Sequence, residues 1–304
     1  YNSCRPVFVE LEMLDARQEE LLMKSETFCM YPWTHIHAWP DGQVFPCCGT
    51  DTNPIGSLRE NSLEELWNSP AEKQLRLDML SETKNEICKR CHEQEESGFF
   101  SLRNSANKHL GHHIDRVSKT NPDGSYDDFN IVYWDVRFSN LCNFRCRICG
   151  PDSSSRLIQE WKTIFGEDQT PQDWYKSESI WKNLLANVPS LNYLQIVGGE
   201  PFMLEIEQHI ELLEKCISSG AAQNMVLHYI TNGSVRPTEK LLSLMDQFKS
   251  VDMTFSMDGI EEQFEYNRKG GNWQTFQSNL FFMRDRYSPN QVTTINLTVS
   301  VFTV

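Results

Sequence analysis

The chain has 304 residues, a net charge of −14, 39% hydrophobic and 23% charged residues, which suits a globular protein with one large core or two ordinary ones. The acidic balance argues against general nucleic-acid binding, because phosphate contacts call for a basic surface. No apolar run is long enough to span a membrane. Position 1 is Tyr and the chain stops inside the apolar run Thr298–Val304, so both ends read as cut.

Ten cysteines are present, and most are clustered. Clustered C-x2-C and C-x3-C-x2-C spacings in a chain this long point to metal or cluster ligands in a reducing, cytoplasmic compartment and not to a secreted disulfide scaffold. Residues 1–27 read as an acidic, partly helical segment in which Cys4 is an isolated free thiol. Thr34–Trp39 alternates with period two, Pro40-Asp41-Gly42 is a turn, and Gln43–Pro46 returns, which predicts a β-hairpin. That hairpin brings Cys29 close to Cys47. His35 and His37 share a strand face and read as packing histidines. Ser62-Leu63-Glu64-Glu65 is a capping box opening a helix, and helical periodicity continues through Met79. Next comes the knuckle Cys88-Lys89-Arg90-Cys91, followed by an acidic helix-prone run. Residues 28–115 therefore form a small α+β domain, and 116–130 a polar linker.

From residue 131 strand-like runs alternate with amphipathic segments. The strands are Ile131–Phe138, Tyr193–Val197, Met225–Ile230, Val251–Ser256 and Thr293–Val301, with helices between them. This alternation predicts an α/β domain built from βαβ units around a parallel sheet, curled by right-handed crossovers into an open or closed barrel over 131–304. Trp134, Trp161, Trp174 and Trp181 are expected in its core, as is Cys216.

In such barrels the loops after the strands build the active site. After the first strand comes Cys142-x3-Cys146-x2-Cys149, after the second Gly198-Gly199-Glu200-Pro201, after the third Thr231-Asn232-Gly233, and the fourth ends in Ser256-Met257-Asp258-Gly259. Three thiolates hold three irons of a four-iron cube and leave one iron open; a Cys4 site would be closed. Glycines let backbone approach a ligand. Glu200 is an acceptor for an ammonium or hydroxyl, Ser256 and Asp258 suit a carboxylate or ribose, and Ile148 offers an apolar surface to a flat ring. A zinc knuckle is the alternative for the three cysteines, and ordinary strand-end turns for the rest.

The cysteine loop in its context Asn140-Leu141-Cys142-Asn143-Phe144-Arg145-Cys146, with Gly198-Gly199-Glu200-Pro201 downstream, resembles the radical S-adenosylmethionine (SAM) superfamily over residues 131–304. The resemblance implies a partial (β/α)6 barrel, of which five βα units are visible. It implies a [4Fe-4S] cluster on Cys142, Cys146 and Cys149 whose open iron binds SAM, with reductive cleavage to a hydrogen-abstracting 5′-deoxyadenosyl radical. Gly198, Gly199 and Glu200 would meet the methionine amine, Ser256 and Asp258 its carboxylate or the ribose, with Asn232 a further contact. An external electron donor such as flavodoxin or ferredoxin is implied as well.

Cys29, Gly42, Cys47 and the Cys88/Cys91 pair resemble, over about residues 28–101, the twitch domain, the short form of the SPASM domain. That implies an auxiliary [4Fe-4S] cluster with four thiolates, Cys48 being an alternative to Cys47 and a Cys4 zinc site the rival. Twitch domains usually follow the barrel; here the domain precedes it. Such relatives often modify peptides or proteins and some oxidise small alcohols, so the expected substrate is a peptide or protein. The rivals from other classes are an electron-transfer protein and a zinc-stapled binding module.

Overall fold

A computed structural model describes residues 14–50, 52–169, 174–203, 206–287 and 291–303. Cys4 lies outside them. The chain divides into two compact units, Tyr1–His37 with Gln43–Trp134, and Ala38–Gly42 with Asp135–Val304.

In the first unit, strands β1 (His35–Ala38), β2 (Gln43–Phe45) and β3 (Gly56–Ser57) lie side by side in that order, and β2 runs antiparallel to β3. The helices are α1 (Ala16–Glu19), α2 (Leu63–Trp67), α3 (Pro70–Leu80), α4 (Lys89–Glu96) and α5 (Leu102–Leu110). The capping box opens α2: Glu65 N donates to Ser62 Oγ and Ser62 N to Glu65 Oε2. Ser69 caps α3 and Pro70 takes its first position, where no N–H is needed. That helix buries Glu72, Leu75, Arg76 and Met79 on one face. Arg76 tolerates full burial because its guanidinium donates to the carbonyls of Pro32, Trp67 and Gly124. Helix α4 starts inside the C-x2-C knuckle, with Cys88 as its N-cap. Residues 116–130 lie within this unit; Arg116 donates to Trp33 O and Asn130 O, and Tyr126 is fully buried. His35 lies between the tilted rings of Tyr31 and Tyr133, with ring centroids 4.5 and 4.2 Å away.

The second unit is α/β. Its strands are β4 (Tyr133–Arg137), β5 (Arg145–Cys146), β6 (Tyr193–Val197), β7 (Val226–Thr231), β8 (Ser250–Ser256), β9 (Arg268–Lys269) and β10 (Thr293–Asn296). The helices are α6 (Ile158–Phe165), α7 (Glu178–Asn187), α8 (Ile206–Ser218), α9 (Glu239–Met245), α10 (Glu261–Asn267) and α11 (Trp273–Tyr287). The sheet order is β10-β8-β7-β6-β4, and the pairs β6/β7, β7/β8 and β8/β10 are parallel. β5 and β9 form a separate antiparallel ribbon.

Period-two alternation gives the sheet two unlike faces. One carries Leu194, Ile196, Leu227, Tyr229, Val251, Met253 and Phe255, all essentially without exposure. The other carries polar side chains tied across strands: His228 Nδ1 meets Tyr193 Oη at 2.8 Å and Gln195 Oε1 at 3.0 Å, and His228 Nε2 meets Thr254 Oγ1 at 2.8 Å. Burial holds His228 down at about 4, hence as the neutral imidazole.

Two expectations need correction. β10 ends at Asn296 and not at Val301, because Thr298 N turns away to donate to Asp258 Oδ1 at 2.9 Å. Trp134, Trp174 and Trp181 are buried, but Trp161 is not; it sits on α6, which buries no residue, with its ring 4.4 Å from that of Phe165. Cys216 is fully buried.

Candidate iron–sulfur and cofactor sites

The three-cysteine loop follows β4 and is folded on itself. Ser155 N donates to Asn140 O, Ser154 Oγ to Phe144 O at 2.6 Å, and Asn140 Nδ2 to Pro151 O at 2.7 Å. Cys142 and Cys146 are buried and Cys149 partly so. Cys142 Sγ accepts from Phe144 N at 3.4 Å and from Asn232 Nδ2 at 3.7 Å. Burial raises the Cys142 thiol. Cys146 and Cys149 are hydrogen-bonded to one another: the Cys146 thiol is pushed up, first by that bond and then by burial, while the same bond pulls Cys149 down. Such thiols ionise when a cation takes the place of the proton.

Gly198 and Gly199 pack against the backbone that leads into the cysteine loop. A Cβ on Gly199 (φ +55°) would meet Leu141 O at 2.1 Å, and one on Gly198 (φ +89°) would meet Arg137 Cβ at 2.8 Å. The glycines therefore let the turn after β6 lie against the backbone of the cysteine loop, and Glu200 N completes the seam by donating to Leu141 O at 2.8 Å.

Glu200 is almost fully buried. It accepts from Thr231 Oγ1 at 2.7 Å, Asn232 N at 2.7 Å and Phe202 N at 3.3 Å. Burial pushes it up to about 7, against these hydrogen bonds and Arg268, which pull it down. Asn232 thus ties two sequence-predicted groups together, its N–H on Glu200 and its amide on Cys142.

Asp258 is buried, but its side chain is engaged: Oδ1 accepts from Thr298 N, and Oδ2 pairs with Arg268 Nη2 at 2.8 Å. Arg268 was not singled out from the sequence. It lies far along the chain from the cysteines, and no local pattern marks it. Ser256 ends β8 half-buried beside Asn296, and Ile148 is 44% exposed. Of the arginines flanking the cysteines, Arg147 stacks its guanidinium 3.8 Å from the Tyr266 ring centroid, and Arg145 faces Glu160 at 3.9 Å.

In the first unit, Cys29, Cys47, Cys88 and Cys91 line one pocket of about 30 Å³, with Leu75, Met79, Ile87 and Leu102 as apolar wall and Arg90 and Arg103 beside them. Cys48 is not in the lining. Burial raises the Cys29 thiol well above its usual value and pushes Cys47 and Cys88 each to about 12. Arg103 is held by Glu95, Ser25 O and Phe28 O. The sulfurs ring a space instead of meeting at a point; among the described residues no three His, Cys, Asp or Glu side chains stand close enough to hold a metal ion as they are. Four soft thiols around an apolar cavity are a donor set fit for an iron–sulfur group, and the three-cysteine loop is fit for one with a position left open.

The radical SAM superfamily profile matches residues 136–300, more than half of the chain, and an iron–sulfur cluster-binding domain termed SPASM matches residues 29–92. The chain belongs to the radical SAM superfamily and is an enzyme carrying a SPASM-type iron–sulfur domain ahead of its parallel-sheet unit. The two matches imply iron–sulfur clusters as its cofactors. A search of curated proteins found no match. Among solved structures, the chain is similar to native anSMEcpe with bound AdoMet, at 17% identity and TM-score 0.38, over 52% of this chain and 41% of that one. It is also similar to Streptococcus suis SuiB bound to precursor peptide SuiA, at 14% identity and TM-score 0.38, over 76% of this chain and 51% of that one. The chain spans about half, or less, of the length of these structures. No helix among the described residues is long and apolar enough to cross a membrane.

Proposed function

We propose that this enzyme binds a [4Fe-4S] cluster through Cys142, Cys146 and Cys149, holds SAM at the open position, and acts on a peptide or protein. The observation that carries the reading is the seam joining the loops after β4, β6 and β7: Leu141 O to Glu200 N, Glu200 carboxylate to Asn232 N, and Asn232 amide to the Cys142 sulfur. When bound, the cluster and SAM supply one-electron cleavage to a hydrogen-abstracting 5′-deoxyadenosyl radical. The residues bind and orient. Glu200, ionised, is the acceptor for the methionine ammonium, with the Gly198-Gly199 turn holding it in place. Ser256, Asp258, Asn232 and Ile148 are the remaining proposed contacts, at the strand ends and on the cysteine loop. Burial of the sulfurs keeps water from them.

The auxiliary site is proposed to hold a second four-iron cluster on Cys29, Cys47, Cys88 and Cys91, within a domain of about residues 28–115. Its cavity and four thiols support that reading, and its absence from the Cys48 side favours Cys47 as the ligand. A parallel barrel of six strands is part of the same proposal. So are an external one-electron donor of the flavodoxin or ferredoxin type and a reducing, cytoplasmic setting. The peptide or protein substrate rests on resemblance to SPASM-bearing relatives.

The test is anaerobic reconstitution followed by assay with SAM and a strong reductant. About eight irons per chain and reductant-dependent 5′-deoxyadenosine are expected. Bound zinc without labile sulfide, or clusters without SAM cleavage, sinks the proposal.

A further inference from the structure

We infer that Arg268 is a positioning group for the three-cysteine centre: it donates to the Cys146 sulfur and raises the reduction potential there, with Asp258 as its counter-charge. The inference rests on the reading of Cys142, Cys146 and Cys149 as cluster ligands.

The ribbon of β5 and β9 places Cys146 directly opposite Arg268. Arg268 Nη1 reaches Cys146 Sγ at 3.8 Å, and Nη2 reaches Asp258 Oδ2 at 2.8 Å. Both side chains are buried, 8% and 1% exposed. Asp258 is itself fixed, by Thr298 N on its carboxylate and by Asn267 Nδ2 on its backbone oxygen at 2.7 Å. Arg268 is therefore held in one direction. Gly271 N donates back to Arg268 O and closes the turn after β9.

A buried ion pair is a weak source of stability, since desolvation offsets most of the attraction. Its value here is the place where it puts a charge. Cys142 receives two neutral donors, Phe144 N and Asn232 Nδ2. Cys146 receives a cation. Hydrogen bonds and charge at the sulfurs are what tune the potential of a cluster. A cation against a thiolate stabilises the extra negative charge that reduction brings, so it raises the potential; Asp258 moderates that effect and fixes its direction. The sequence separation explains why no motif announces the pair.

The experiment compares wild type with Arg268→Gln, Arg268→Lys and Asp258→Asn, each reconstituted anaerobically. Iron per chain is measured, and each protein is titrated by EPR in the absence of SAM, with the auxiliary signal as internal reference. Arg268→Gln is expected to make reduction at the three-cysteine centre about tenfold harder, a fall of about 59 mV for one electron. Arg268→Lys, which keeps a charge but loses the fork, falls less. Asp258→Asn moves the potential the other way. Unchanged potentials in variants with wild-type iron content overturn the inference. If Arg268→Gln retains no cluster, Asp258→Asn decides: an upward shift supports the inference and no shift overturns it. A wild type that takes up no cluster at Cys142 defeats the underlying reading instead, which is a different result.

Discussion

The two groups of cysteines stand in opposite settings. In the first unit four sulfurs surround an apolar cavity, and the nearby guanidinium of Arg103 is occupied by Glu95 and two carbonyls. In the second unit three sulfurs sit on a single loop, and the groups around them are polar, buried and connected: Asn232, Glu200, Arg268 and Asp258. A closed set of thiolates needs only to be kept dry. A set with one position open needs neighbours that receive a further ligand, and those neighbours bring buried charge with them.

The largest effect expected from breaking that contrast is loss of one site at a time. Cys142→Ala should abolish 5′-deoxyadenosine formation and remove about half of the iron, leaving the other site loaded. Cys88→Ala should remove a similar amount of iron yet leave SAM cleavage measurable. Iron analysis with product chromatography reads both; cleavage surviving in Cys142→Ala would falsify the division of labour.

Glu200 comes next. Losing a charge-assisted hydrogen bond to an ammonium costs about 1.5–3 kcal/mol, so Glu200→Gln should weaken SAM binding roughly tenfold to a hundredfold by calorimetry. Burial pushes the carboxyl up to about 7. Only its ionised form accepts from an ammonium, so SAM affinity should fall as pH drops through about 7, and the Gln variant should show no such fall. The stability sign is separate. A carboxyl raised in the folded state keeps its proton where the unfolded chain has lost it. Its contribution therefore declines as pH rises from about 4.3 towards 7, and Glu200→Gln should flatten that slope in denaturant titrations.

A smaller contrast concerns the glycines. At Gly199 a methyl group would collide with Leu141 O at 2.1 Å, backbone that cannot yield. Gly199→Ala should destabilise the second unit by about 1–3 kcal/mol in urea unfolding. At Gly49, beside the auxiliary cavity, the nearest atom is Leu102 Cδ1 at 3.1 Å, the end of a flexible side chain. Gly49→Ala should cost less than about 1 kcal/mol. Equal losses would mean that the seam against the cysteine loop is no tighter than the cavity wall. The smallest effect belongs to Cys48→Ser, which should leave iron content unchanged, because Cys48 does not line the cavity; Cys47→Ser should lower it.

Much of this molecule is legible from local patterns. Strand and helix periodicities are properties of neighbouring residues, and they located β6, β7 and β8 within a residue of their ends. The cysteine spacings are equally local: Cys142, Cys146 and Cys149 share one loop, and Cys88 and Cys91 share one helix start. What the glycines are for was not legible, since Gly198 and Gly199 face the backbone of residues 137–141 and not open space. Neither was it legible that Cys47, and not its neighbour Cys48, lines the pocket.

Arg268 is the clearest case. From the amino acids alone it is one arginine after a helix, with nothing to distinguish it from Arg145 or Arg147, which sit much closer to the cysteines. Folding reverses that order: Arg147 goes to Tyr266, Arg145 to Glu160, and Arg268 arrives against Cys146. Periodicity and spacing mark elements and cysteine groupings because they depend on separations of a few residues. Which charge meets which sulfur depends on how the sheet and ribbon bring distant loops together, and only the tertiary structure decides that.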